Sequence, residues 1–173
     1  EKYFYRAAIL DCVRALDFLT TSPKVDPNRI AITGGSQGGL LSFATAALDK
    51  RIVLCAPDIP FVMDSMRSFE ITNWPGSIIR QWVERSPENN SWQKARNTMK
   101  YVDPKNLAKL IECQVFMGVC LQDKAAPPFC AFAAFNQCNG VKEYRIYPND
   151  GHATPAEHIS AKLSWIRAGF GIE

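Results

Sequence analysis

The run Gly34-Gly35-Ser36-Gln37-Gly38-Gly39 constrains this chain more than any other stretch. It follows a short apolar segment, Arg29-Ile30-Ala31-Ile32-Thr33. It precedes Leu40-Leu41-Ser42-Phe43-Ala44-Thr45-Ala46-Ala47-Leu48, a run of small and helix-forming residues. A strand that enters a helix through so short a connection must turn sharply. The two backbones then approach closely, and only hydrogen fits where they cross. A serine at the centre of such a turn is strained, and its hydroxyl projects beyond the end of the sheet. Gly34-x-Ser36-x-Gly38 matches the G-x-S-x-G of a nucleophile elbow. The start of the helix also offers free N–H groups to a developing anion. A phosphate loop would need Gly-Lys-Ser/Thr, and a dinucleotide loop G-x-G-x-x-G; neither is present. A turn that binds nothing remains open on the local pattern alone.

Around this turn the chain alternates between strand and helix signals. Tyr5, Ala8, Ile9, Cys12, Val13, Leu16 and Leu19 recur at helical spacing within residues 3 to 20, with Arg6, Asp11, Arg14 and Asp17 on other faces. A strand over 29–33 leads into the elbow, and a helix over about 37–48 follows it. Ile52-Val53-Leu54-Cys55-Ala56 is apolar throughout, as in a parallel sheet covered on both faces. Residues from about 58 to 101 break the rhythm and read as a helical insertion containing Phe61, Phe69, Trp74, Trp82 and Trp92. Its aromatics either line a substrate pocket or only pack a cap. Asp103-Pro104 opens a short helix with the aspartate as N-cap. Val115 to Val119 is a third strand, and Phe129 to Gln137 a helix closed by Asn139-Gly140. Glu143 to Tyr147 is a fourth strand, and a last helix runs from about Pro155 to Ala168, ending at Gly169. Strands separated by helices imply right-handed crossovers, a parallel sheet and the α/β class.

Composition narrows the partners. The 173 residues suit one domain, and 47% hydrophobic with 21% charged residues is an ordinary globular balance. The net charge of +3 is small and its basic residues are dispersed, which argues against nucleic acid. No apolar run approaches the ~20 residues of a membrane span. The six cysteines contain no C-x-x-C pair, which argues against a zinc site. Most lie in apolar runs, so they read as free thiols of a reducing compartment, the cytoplasm. Cys113 and Cys120 should face opposite sides of one strand. The sequence starts at Glu1, inside a helical pattern and without a methionine, so an upstream segment of the same protein is expected.

Ser36, Asp123 and His152 each sit just past the carboxyl end of an expected strand, where side chains of a doubly wound sheet converge. Their order, Ser then Asp then His, is that of α/β-hydrolases. A serine hydroxyl needs an adjacent base to attack, a histidine titrates near neutrality, and an aspartate orients the imidazole. His158, the other histidine, falls inside the last helix and is expected on its surface. Asp150 rivals Asp123 but lies too close to His152, in a turn context. Asp58 either lines the pocket or caps the next helix. The backbone N–H of Gln37 is the expected oxyanion donor, with a second from a loop after an earlier strand.

The elbow, Asp11-Cys12-Val13-Arg14-Ala15-Leu16-Asp17-Phe18-Leu19, Ala56-Pro57-Asp58-Ile59-Pro60-Phe61, Leu121-Gln122-Asp123 with Pro127-Pro128, and Tyr147-Pro148 with Gly151-His152 together resemble the acetyl xylan esterase / cephalosporin C deacetylase family, carbohydrate esterase family seven. The resemblance covers nearly the whole chain. It implies an α/β-hydrolase fold, of which this chain is the carboxyl-terminal portion, with helices on both faces of the sheet. It further implies a serine esterase that removes acetyl groups from xylo-oligosaccharides and cephalosporin C. Ser36 would be nucleophile, His152 base, Asp123 acid and Gln37 oxyanion donor, with no metal or cofactor and with assembly as a homo-hexamer. Two stretches depart from the family pattern: Ala153-Thr154-Pro155 after the histidine and Lys124-Ala125-Ala126 after the acid. Two alternatives stand beside this reading. One is a serine peptidase of the prolyl-oligopeptidase type. The other is a catalytically incomplete structural fragment whose first strand leaves an unpaired edge.

Overall fold

Residues 3–172 are described by a computed structural model. Four strands, β1 (Ile30–Gly35), β2 (Ile52–Asp58), β3 (Gln114–Cys120) and β4 (Lys142–Tyr147), form one parallel sheet in the order β1-β2-β3-β4. The register pairs Gly35 with Asp58, Asp58 with Gly118, and Cys120 with Tyr147, so the carboxyl ends of all four finish side by side. The helices are α1 (Phe4–Leu19), α2 (Gln37–Leu48), α3 (Ser65–Ile71), α4 (Gly76–Arg85), α5 (Trp92–Met99), α6 (Pro104–Leu107), α7 (Pro128–Phe135) and α8 (Ala156–Phe170). A 3-10 turn, Ala108–Leu110, continues α6. Among the described residues no helix is long and apolar enough to cross a membrane.

The two-residue period of a strand sorts the core into two layers. Val115, Met117 and Val119 of β3 and Cys55 of β2 point into the layer that holds Phe43 and Ala47 of α2 and Ala131 and Ala134 of α7. The alternate residues face α8: Phe116 stacks on Trp165, and Leu54 packs against Gly169. Helix α2 is apolar nearly all round because it is covered all round, by the sheet, by α1 and by α6. Asp103 caps α6 as expected, accepting from Lys105 N, and its other oxygen accepts from Ser65 N at the start of α3. One buried carboxylate thus satisfies donors at two helix starts.

Three expectations need correction. Asn139 and Gly140 do not close α7, which ends at Phe135; both N–H groups bond Ile111 O, and a Cβ on Gly140 would lie 2.1 Å from Cys113 O. The last helix stops not at Gly169 but at Gly171, whose left-handed φ of 62° suits a glycine cap. His158 is not on the surface: it is fully buried against the sheet. The six cysteines are unpaired. Cys113 packs on the α2 and α7 layer, while Cys120 clusters with Ile59 and Tyr147, so the two face opposite sides.

Candidate active site

The β1–α2 turn is as tight as its glycines suggest. A Cβ on Gly34 would lie 2.6 Å from the carbonyl carbon of Gly38, which is strand against helix backbone. Ser36 takes the resulting strain, with φ 54° and ψ −112°. A non-glycine residue there costs about 1–3 kcal/mol and persists only when its surroundings over-determine it. They do: Ser36 N donates to Asp58 O at 2.9 Å, and Ser36 O accepts from Phe61 N at 3.0 Å. The exit of β2 therefore holds the serine backbone from both sides. Gly39 N and Leu40 N also close onto Ser36 O. Gln37 N–H is the first amide of α2, at the helix's positive end.

The strained backbone aims Ser36 Oγ at His152 Nε2, 2.8 Å away. His152 Nδ1 lies 2.7 Å from Asp123 Oδ2. A carboxylate only accepts, so Nδ1 carries the proton, and Nε2 is free to accept from the serine hydroxyl. Asp123 is buried, and its Oδ1 accepts from Ala125 N at 2.9 Å and Ala126 N at 2.7 Å. Those are backbone donors, so the unusual Lys124-Ala125-Ala126 side chains leave the carboxylate's support intact. The loops carrying Asp123 and His152 are tied to each other: Gln122 N bonds Asp150 O, Gln122 Nε2 bonds Pro148 O, and Cys120 Sγ bonds Ala153 O. Burial, with Asp150 and Asp123 adding to it, pushes the Cys120 thiol up to about 11, so this cysteine stays protonated. Asp150, the rival acid, lies in this loop, whereas the oxygen facing His152 belongs to Asp123.

Four side chains that the sequence did not bring together lie directly beneath. Asp58 is buried and caps no helix. Its carboxylate accepts from His158 Nε2 at 2.9 Å and from Lys162 Nζ. His158 Nδ1 lies 3.0 Å from the Tyr147 hydroxyl. The available signals were the four-residue spacing of His158 and Lys162, which shares a helix face, and Asp58 ending an apolar strand in phase with Leu54 and Ala56. In the stretch between β2 and β3, Phe61 is buried and stacks on Trp74, centroids 5.1 Å apart, and Trp74 is more than half exposed.

A serine, histidine and aspartate joined in series at the carboxyl edge of a parallel sheet can run acyl transfer. The acetyl xylan esterase (AXE1) family model matches residues 1–168. The chain belongs to the acetyl xylan esterase family. Within reach of that family it is 32% identical over 167 residues to the acetyl esterase Axe7A of Xylanibacter ruminicola, covering 96% of this chain and 37% of that protein. It superposes on the solved acetyl xylan esterase from Paenibacillus sp. R4 with a TM-score of 0.91 at 40% identity, covering 96% of this chain and 53% of that one. Acetyl xylan esterase 1 from Thermoanaerobacterium sp. JW/SL YS485 gives 0.88 at 29% identity, covering 98% and 54%. The chain spans about half the length of these solved acetyl xylan esterases, and its fold is that of the α/β-hydrolases.

Proposed function

We propose that this chain carries the reacting residues of a serine esterase that removes acetyl groups from acetylated sugars, with xylo-oligosaccharides as the substrate class and cephalosporin C as a further acceptable ester. The observation that supports it most is the relay at 2.8 and 2.7 Å through Ser36, His152 and Asp123. Ser36 Oγ attacks the acetyl carbon while its proton passes to His152 Nε2. Asp123 stabilises the imidazolium that forms. The carbonyl oxygen gains charge and takes the Gln37 N–H. The second oxyanion donor is assigned to the part of the relatives' length that this chain does not match. Collapse of the intermediate breaks the bond to the sugar oxygen, and His152 returns the proton to that leaving group. Water then attacks the acetyl-enzyme by the same route and releases acetate.

Trp74, exposed and stacked on Phe61, whose N–H bonds Ser36 O, is a candidate apolar wall for the acyl group. The homo-hexamer implied by the family resemblance, and an upstream segment completing the hydrolase domain, belong to the same reading. Six unpaired thiols favour a reducing compartment such as the cytoplasm.

The test is acetate release from p-nitrophenyl acetate and acetylated xylo-oligosaccharides by the whole protein. Ser36→Ala should lower the rate at least about 1000-fold, and adding His152→Ala should lower it little further, since the residues act as a unit. Unchanged hydrolysis in Ser36→Ala, or cleavage of proline amides without acetate release, would overturn the assignment.

A further inference from the structure

The buried cluster under the elbow joins two strand ends to one helix. Asp58 ends β2, Tyr147 ends β4, and His158 and Lys162 project from the same face of α8. Between them, β3 makes room: a Cβ on Gly118 would lie 2.5 Å from His158 Nε2. The imidazole stacks flat on Phe116, 5.4 Å between centroids and 3° between planes. Its bonding is complete. The carboxylate requires the proton on Nε2, so Nδ1 accepts from the Tyr147 hydroxyl, and Lys162 balances the charge of Asp58. Such a site is costly to desolvate and is worth little as net stability against an apolar core. Its connections explain it better.

Asp58 lends its backbone oxygen to Ser36 N–H, and Gly118 O holds Ile59 N where the chain leaves β2. That exit is strained, with Ile59 at φ 39° and Val62 at φ 53°, conformations that β-branched residues rarely adopt. It also carries Phe61 N, the second tether of Ser36. On the other side, Tyr147 O accepts from Leu121 N and leads within five residues to His152. The cluster therefore grips the segment that holds Ser36 and the strand that delivers His152.

We infer that Asp58, His158, Lys162 and Tyr147 are positioning residues that set the approach of Ser36 to His152. The inference rests on the esterase reading for its kinetic consequence, and on geometry alone for its spectroscopic one. The experiment compares wild type, Ser36→Ala, Asp58→Asn and His158→Gln in the whole protein. His158→Gln keeps the Asp58–Lys162 pair and guards against a misfolded Asp58→Asn. Four quantities are read: kcat and KM on p-nitrophenyl acetate, the thermal midpoint, and the downfield imidazole proton of His152 by NMR, assigned by its loss in His152→Ala.

Positioning predicts that kcat falls about 10–100-fold with KM changed less than about threefold, as expected when reacting groups lose alignment. It also predicts that the His152–Asp123 proton broadens or shifts in folded variants. A lowered thermal midpoint with kcat and that proton both unchanged would reduce the cluster to a structural ion pair and overturn the inference. Full activity in Ser36→Ala would instead overturn the esterase reading. The His152 proton would still decide the network: a change in Asp58→Asn or His158→Gln supports it, and no change in either refutes it.

Discussion

Ser36 holds a positive φ that glycine would adopt freely, and it does so because its neighbours on both sides give way. Gly34 yields by having no side chain, and Asp58 and Phe61 yield by offering backbone partners. The four glycines around Ser36 are therefore not equivalent. A methyl at Gly34 must displace the Gly38 backbone, whereas nothing lies within 4 Å of one at Gly38. Gly34→Ala should cost about 1–3 kcal/mol, as overpacking does, and should lower ester hydrolysis by about 100-fold through misplacement of Ser36. Gly38→Ala, inside the first turn of a helix, should instead raise stability by up to about 1 kcal/mol. Urea unfolding of the two variants checks both signs. The same scale explains why the departures from the family pattern after Asp123 matter little: amides, not side chains, solvate that carboxylate.

Between elements, charge does more joining than the apolar layers suggest. Arg51, just before β2, reaches Asp17 of α1 at 2.7 Å, the Thr20 hydroxyl at 3.2 Å, and Asp49 at the end of α2. Its hydrogen bonds hold the Asp49 carboxyl below the ordinary aspartate range against a smaller opposing effect of burial. A folded-state pKa below the unfolded value, about 3.9, means that this stabilisation is present above that pH and is lost as pH falls through the folded value. The urea midpoint of wild type should therefore decline below about pH 4, and Asp49→Asn should flatten part of that decline. An acid limb identical in both would show that the pair contributes nothing. At α8 the joining is internal to the core: one helix face reads two strand ends through His158 and Lys162.

At the scale of the whole molecule, the cysteines report on how closed the core is. Burial pushes Cys130 and Cys138 up to about 12 and Cys113 up to about 11, and it raises Cys55 too. Cys12 is partly exposed on α1. Brief alkylation of the native protein at neutral pH should modify Cys12 first and spare Cys55, Cys120, Cys130 and Cys138, with all six reacting after unfolding, as mass spectrometry would show. Early loss of Cys130 or Cys138 would mean that the layer between sheet and α7 opens locally. Much of this architecture was legible in the chain itself. Period-2 and period-3.6 patterns are local, so they marked four strands and the helices between them, and the Gly34-x-Ser36-x-Gly38 turn is a short-range steric requirement. Strand ends are local too, which placed Ser36, Asp123 and His152 on one edge. The helix ends at Gly140 and Gly169 were misread because a glycine can serve close packing as well as capping, and only the neighbouring backbone distinguishes them. His158 was misread for a related reason. A polar residue in a helix is by default solvated, and its burial depends on a partner 100 residues away. Local periodicity and sterics were therefore enough to mark the strands and the tight turn at Ser36. Which charges meet follows from the folded chain alone, because a hydrogen bond between Asp58 and His158 exists solely through the register that brings β2 and α8 together.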